Sequence, residues 1–225
     1  MSWFSFLSKK ENNPSYFVVA YQSLFADKIP GDKSIETLDF TVLDTETTGL
    51  NIKKDDIVSY GSIKVIGYRI MVNTTEEYYL KSSRLDKESI KIHGLVKTMG
   101  FTSPEEFCLR ILANLGNSIL VAHHAGFDVA MLEKTTRPFG LRKILNPVLD
   151  TRNLAIRLEI GKNYSSHFIN PMDYSLDKLC DRYRIPLDDR HTAAGDAFLT
   201  AQLLVKLLKI AEKMGIETYK DLLGR

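Results

Sequence analysis

Asp44 and Glu46 stand two residues apart at the end of a run in which Leu38, Phe40 and Val42 alternate with Asp39, Thr41 and Leu43. That period of two belongs to a strand, where residues i and i+2 face the same way. The two carboxylates therefore continue the Val42 face, with Cα atoms roughly 7 Å apart, and can converge on one point. Without a cation such a pair repels, and one member takes up a proton. Beside a divalent ion both stay ionised, and hard oxygen ligands of this kind suit Mg²⁺ or Mn²⁺. Gly49, a little further on, lets the backbone turn and come close to a ligand.

The stretch Asp44-Thr45-Glu46-Thr47-Thr48-Gly49-Leu50 resembles the first motif of the DEDD exonuclease superfamily, which cuts nucleic acid from the 3′ end with two metal ions. The resemblance calls for two more aspartates and a His or a Tyr. His123-His124-Ala125-Gly126-Phe127-Asp128 is similar to the second motif, with His124 where the family often has Asn. Asp128 falls where an apolar strand has ended and a helix begins, a place that favours a carboxylate by itself by ~0.3–1 kcal/mol. His191-Thr192-Ala193-Ala194-Gly195-Asp196 is similar to the third motif. With His at 191 and Thr at 192, the chain is identified as a member of the His branch, DEDDh. Five residues of helix rotate by about 140°, so His191 and Asp196 cannot share a helix face. Asp196 belongs in the first turns of a helix and His191 on the loop before it.

The resemblance implies a role for each position. Asp44 bridges two divalent ions, Mg²⁺ or Mn²⁺. Glu46 and Asp196 help to hold the ion that serves the attacking water, and Asp128 holds the other. Two cations clamp the attacking and leaving oxygens of an in-line displacement, and His191, near neutrality, accepts the proton of the water. Thr45, Thr47, Gly49, Leu50, His124 and Phe127 are implied to contact the terminal nucleotide, Leu50 as a wedge against the base and Thr47 at the 3′ end. The product is a nucleoside 5′-monophosphate. Arg190 is a candidate phosphate contact, Asp150 a strand-end or capping residue, and Asp188 and Asp189 are solvated. His93-Gly94-Leu95 resembles a short segment of the proofreading members.

Within the family the chain resembles the epsilon proofreading subunits of bacterial replicative DNA polymerase III, which implies single-stranded or frayed DNA 3′ ends as substrate and a polymerase subunit as partner. At 225 residues there is no room for a polymerase domain, so proofreading would be done in a complex or by following a polymerase. An RNA-trimming enzyme has the same catalytic set, because a 2′-hydroxyl is read by pocket details. A non-catalytic scaffold subunit is the third reading, and five filled catalytic positions weigh against it.

Positioning these residues takes one domain of ordinary size. The 44% hydrophobic and 26% charged residues are those of a soluble globular protein, and a net charge of +2 neither demands nor excludes nucleic acid. Cys108 and Cys180 lie in no Cys-x-x-Cys motif and read as reduced, buried thiols of a cytoplasmic protein. No apolar run is long enough to span a membrane, and Met1 to Lys10 makes a poor signal peptide.

Residues 1–36 read as a helical extension in which Phe17, Tyr21, Leu24 and Phe25 form an amphipathic stripe, packed on the main domain or docked to a partner. Residues 37–214 form the exonuclease domain and 215–225 a tail. A first strand over 37–46 leads into strands over Ile57–Val65 and Tyr68–Leu80 with a turn near Gly67. Ser89 to Leu95 holds a short helix or turn. Ser103, Pro104 and Glu106 start a helix with Phe107, Ile111, Leu112 and Leu115 inward and Gly116 as its stop. Short strands over Ile119–Ala122 and Val148–Asp150 alternate with helices to about Thr136 and over Thr151–Ile160. Gly161 to Tyr174 is a long polar and aromatic loop, either a plain surface loop or a lid or binding surface. A capped helix over Ser175–Tyr183 follows. The last helix, Thr192 to about Met214, turns Ala194, Ala197, Phe198, Ala201, Leu204, Val205 and Leu208 inward. This order argues an α/β mixed sheet flanked by helices, which matches the ribonuclease-H-like architecture that the resemblance implies.

Overall fold

The computed structural model describes residues 13–80, 100–161, 169–188 and 190–224. Three long strands, β1 (Asp39–Thr47), β2 (Ile57–Ile66) and β3 (Arg69–Leu80), form an antiparallel meander. Three short ones, β4 (Phe101–Thr102), β5 (Ile119–Ala122) and β6 (Val148–Asp150), each join a neighbour in parallel. The sheet order is β4-β3-β2-β1-β5-β6. This mixed sheet, flanked by helices, is the α/β, ribonuclease-H-like exonuclease architecture expected from the sequence, with the N-terminal helix in addition.

Period-two alternation sends the strands' side chains into two separate cores. Phe40 and Val42 of β1, Ile63 and Val65 of β2 and Ile119 and Val121 of β5 pack on one side of the sheet. They meet α4 (Thr151–Ile160), α5 (Leu176–Arg182) and α6 (Ala193–Lys213). Leu43, Tyr60, Leu120 and Ala122 pack on the other side. There they meet α1 (Tyr16–Ser23), α2 (Pro104–Leu115) and α3 (Gly126–Thr136). Full burial of each large apolar side chain stabilises the fold by about 1.5–3 kcal/mol. The start of α2 forms as its residues dictate: the Ser103 hydroxyl accepts from the Glu106 N–H, with Pro104 in the first turn.

The first and last described helices are docked. On α1, Phe17, Val18 and Tyr21 are buried, the Tyr21 hydroxyl donates to Asn146 Oδ1 at 2.6 Å, and the Leu145 N–H donates to that hydroxyl. Burial pushes the Tyr21 phenol up to about 12. Leu24, expected in the stripe, is exposed at the C-cap of α1. At the other end α7 (Tyr219–Leu223) buries Leu222, and backbone bonds from Tyr219 to Lys33 and from Ile35 to Glu217 stitch it to the 31–35 segment.

Two further expectations change. Phe198 is exposed and Val205 only half-buried, whereas Leu199, Leu203 and Leu207 are buried. Helix α6 is covered by the sheet on one side and by α4 and α5 on another, so its apolar stripe is rotated from the one chosen by periodicity alone. Segment 89–95, with His93-Gly94-Leu95, residues 162–168 of the polar loop, and Asp189 lie outside the described residues. What is described of that loop ends in a 3₁₀ turn, Pro171–Tyr174, capped by Asn170.

Candidate active site

The alternation of β1 carries Asp44 and Glu46 off the end of the Phe40–Val42 row, on the side of the sheet that α6 covers. Across the ladder Asp44 stands opposite Gly61 and Glu46 opposite Ser59, with an irregularity after Glu46 where the strand turns away. Gly61 decides how close α6 can come. A Cβ built on it would lie 2.1 Å from the Ala193 carbonyl carbon and 2.2 Å from the Ala194 nitrogen. Only a glycine in β2 lets the N-terminus of α6 lie directly on the strand beside Asp44. Nothing in the motif spacing singled out Gly61; the available signal was a glycine within an apolar strand.

Thr192 caps α6 by accepting the Gly195 N–H at 3.0 Å, which sets Asp196 in the first turn. Ligand oxygens of Asp44, Glu46 and Asp196 then lie within 4.8 Å of one another. Asp196 is 7% exposed. Its Oδ2 accepts from Arg190 Nη1, while its Oδ1 is buried without a partner. Desolvation, reinforced by Asp128, Asp196 and Glu46, holds the Asp44 carboxyl well above the usual carboxylate range. A buried lone oxygen amid crowded carboxylates is a cluster short of positive charge. The oxygen-only donor set fits a hard divalent cation.

Asp128 enters from α3 on the other flank of β1. Its Oδ1 accepts from the Thr45 N–H at 3.0 Å and the Thr45 hydroxyl at 2.7 Å. Burial pushes its carboxyl up to about 7 even though both Thr45 bonds favour the ionised form. Asp128 thus shares the cavity without joining the tight group of three carboxylates.

His191 lies on the loop before α6, exposed, with a left-handed backbone (φ 66°). Arg190, the candidate phosphate contact, is a clamp in this structure: Nε donates to Asp177 at 2.6 Å and Nη1 to Asp196. Asp150 caps α4, as expected. It also accepts the N–H groups of His124 at 3.2 Å and Ala125 at 3.1 Å, which holds the left-handed turn at His124 (φ 65°). His123 is wedged between elements, with Nε2 at 3.0 Å from the Tyr174 carbonyl and Nδ1 at 3.0 Å from the Thr151 hydroxyl.

The 47–51 loop is held from within. Thr47 Oγ1 donates to the Gly49 carbonyl at 2.8 Å, Asn51 N–H donates to Asp55 Oδ2 at 2.8 Å, and a Cβ on Gly49 would collide with that carboxylate at 2.7 Å. Lys134 in turn ties down the Asp55 carbonyl and the Asp56 carboxylate. The loop presents Leu50, 86% exposed, to solvent.

One cavity of ≈ 510 Å³ is lined by Asp44, Thr45, Glu46, Thr47, Leu50, His124, Phe127, Asp128, His191 and Asp196. Every candidate from the sequence lines it except Gly49, which sits behind Leu50 against Asp55. His123, not expected there, and Arg190, expected as a phosphate contact rather than a partner of Asp196, complete the wall. The first had no distinguishing pattern, and the contact between Arg190 and Asp196 depends on the path of the loop.

A fold with carboxylates from β1, α3 and α6 around one cavity is that of an exonuclease-type nuclease. Residues 41–204 match the family model described as Exonuclease (RNase T), and the chain belongs to that family. Curated relatives include the PolC-type DNA polymerase III of Bacillus subtilis, 31% identical over 191 residues covering 84% of this chain. That of Caldanaerobacter subterraneus subsp. tengcongensis is 30% identical over 186 residues covering 82%. The chain spans only 13% and 12% of their respective lengths. Among solved structures, exonuclease X in complex with 5′ overhanging duplex DNA matches with a TM-score of 0.57 at 23% identity, over 82% of this chain and 98% of that one. Escherichia coli exonuclease I in complex with a dT13 oligonucleotide matches with a TM-score of 0.61 at 14% identity, over 80% of this chain and 43% of that one. No helix among the described residues is long and apolar enough to cross a membrane.

Proposed function

We propose that this chain is a divalent-metal-dependent 3′→5′ exonuclease that removes nucleoside 5′-monophosphates from DNA 3′ ends in proofreading or repair, in company with a DNA polymerase. The observation that carries this reading is the convergence of Asp44, Glu46 and Asp196 within 4.8 Å, with one buried Asp196 oxygen left over. Relatives named as DNA polymerases support the substrate class and the partner.

In this reading Asp44, Glu46, Asp128 and Asp196 hold two Mg²⁺ or Mn²⁺ ions. Bound there, the ions neutralise the charge that develops on the oxygens of the phosphodiester and favour ionisation of the attacking water. The protein does the rest. His191, exposed on the loop before α6, takes the proton of the attacking water. Thr45 fixes Asp128 through its N–H and hydroxyl. The Asp55-braced loop offers Leu50 to the terminal base, while Thr47, Gly49, His124 and Phe127 border the last nucleotide.

The test is a time course on matched and 3′-mismatched DNA with an RNA of the same sequence, in Mg²⁺ and in EDTA. Stepwise, metal-dependent loss of mononucleotides from DNA, faster at the mismatch, is expected. Preferential trimming of RNA would move the chain to RNA processing, and a folded protein that trims neither would overturn the enzymatic reading.

A further inference from the structure

Beside the candidate active site lies a second, open cavity of ≈ 810 Å³, walled by His124, Asp150, Arg152, Arg157, Leu222 and Gly224 among others. His124 belongs to both walls.

Arg152 and Arg157 both line this cavity. Arg157 spends Nη1 on the Leu222 carbonyl at 2.8 Å, but its Nε and Nη2 are buried without a partner, as is Arg152 Nε. A guanidinium is a rigid fork of N–H donors matched to phosphate oxygens. Burying such donors unpaired costs about 1–3 kcal/mol each. Burial also works against the charge of Arg157, pulling its pKa below the ordinary value, with Asp221 opposing.

The acidic residue in the wall does not cancel them. Asp150 accepts from the backbone N–H groups of His124, Ala125, Arg152 and Asn153, so its charge is already committed to the turn and to the start of α4. What remains is an open, polar-walled space lined by Arg152 and Arg157, with Asp221 acting on Arg157 alone.

We infer that this cavity binds a phosphate group, gripped by Arg152 and Arg157 and reached past His124. The inference rests on the exonuclease reading for its first source, a backbone phosphate of the strand whose 3′ end occupies the active site. Its second source is the mononucleotide released there. Both present the same oxyanion.

The experiment is fluorescence anisotropy of labelled single-stranded DNA, a dinucleotide and a longer oligonucleotide, at graded salt in EDTA. A nucleoside 5′-monophosphate is titrated beside them by calorimetry, and KM and kcat for trimming are measured in Mg²⁺. Arg152→Gln is the first variant, because the Arg157 bond to Leu222 also holds α7. Arg157→Lys, which keeps charge and loses the fork, is the second. Arg152→Gln should weaken the longer oligonucleotide about tenfold and reduce the slope of log K against log salt by about 1. The dinucleotide should be untouched, and KM should rise with kcat retained. Loss of mononucleotide binding instead identifies the released nucleotide as the source. If both variants bind oligonucleotide and mononucleotide like wild type with an unchanged salt slope, the cavity is no phosphate site. Should wild type trim normally in that case, the exonuclease reading stands alone. Should wild type trim nothing, that reading falls and the mononucleotide titration still decides the cavity.

Discussion

Gly61 faces Asp44 across the β1–β2 ladder, and the N-terminal turn of α6 rests on Gly61 so closely that a Cβ there would lie 2.1 Å from the Ala193 carbonyl carbon. One missing methyl group thus sets the distance between the β1 carboxylates and Asp196. Gly61→Ala must push α6 away or strain the strand. It should destabilise the protein by about 1–3 kcal/mol and reduce trimming further than the stability loss accounts for, since Asp196 moves with the helix. Thermal unfolding and kcat measured together check this. Gly126→Ala, which meets nothing within 4 Å, is the control and should unfold like wild type. Equal behaviour of the two variants would show that the close approach is unimportant.

The carboxylate cluster stores repulsion that a bound cation relieves. Asp44 is raised by desolvation and by Asp128, Asp196 and Glu46. In EDTA at neutral pH, Asp44→Asn should therefore unfold at a higher temperature than wild type. Adding Mg²⁺ should reverse the order, because a ligand at about 100 times its Kd stabilises by about 2.7 kcal/mol and the variant has lost a ligand. Trimming should be abolished. A variant that is less stable than wild type in EDTA would mean that the cluster is not under net repulsion.

Much of this arrangement was legible before any coordinates, for reasons that differ by residue. The β1 alternation is local, so Val42 predicts the side of Asp44 and Glu46. The Ser103-Pro104-Glu106 start of α2 and the Asp150 cap of α4 are likewise decided within a few residues. The offset between His191 and Asp196 follows from helical rotation alone. What sequence did not reveal depends on how separate elements approach one another in space. Arg190 reaching both Asp177 and Asp196, Thr45 receiving Asp128, and Gly61 under Ala193 are all tertiary approaches. Phe198 was misplaced for the same reason: periodicity finds an apolar stripe, but the neighbours of α6 choose which edge of it is covered.

His191 is exposed on the loop before α6. His191→Ala should leave the unfolding temperature and metal binding unchanged while reducing kcat by roughly 10²–10⁴-fold, the span of a lost general base. A variant with the wild-type rate across pH would remove His191 from the proton transfer.

His123 supplies a pH dependence of stability whose sign can be worked out. The Tyr174 carbonyl can only accept, so Nε2 carries the hydrogen and, in the neutral ring, Nδ1 accepts from Thr151. Burial, the largest cause, lowers its pKa from 6.5 to about 4, with Asp150 and the Tyr174 carbonyl opposing. The folded value lies below the unfolded one, so between these limits the unfolded chain binds a proton that the folded chain refuses. Stability from this group is complete above pH 6.5 and is lost as pH falls toward 4. At 1.36 kcal/mol per pH unit the loss is roughly 3 kcal/mol. Asp44 and Asp128, raised by burial, act in the opposite sense, so the quantity to read is the difference between wild type and His123→Gln, which keeps a donor and an acceptor without titrating. That difference should favour wild type near pH 7 and shrink or reverse toward pH 4. Unfolding temperatures that run parallel over this interval would show that His123 is protonated as easily in the fold as outside it.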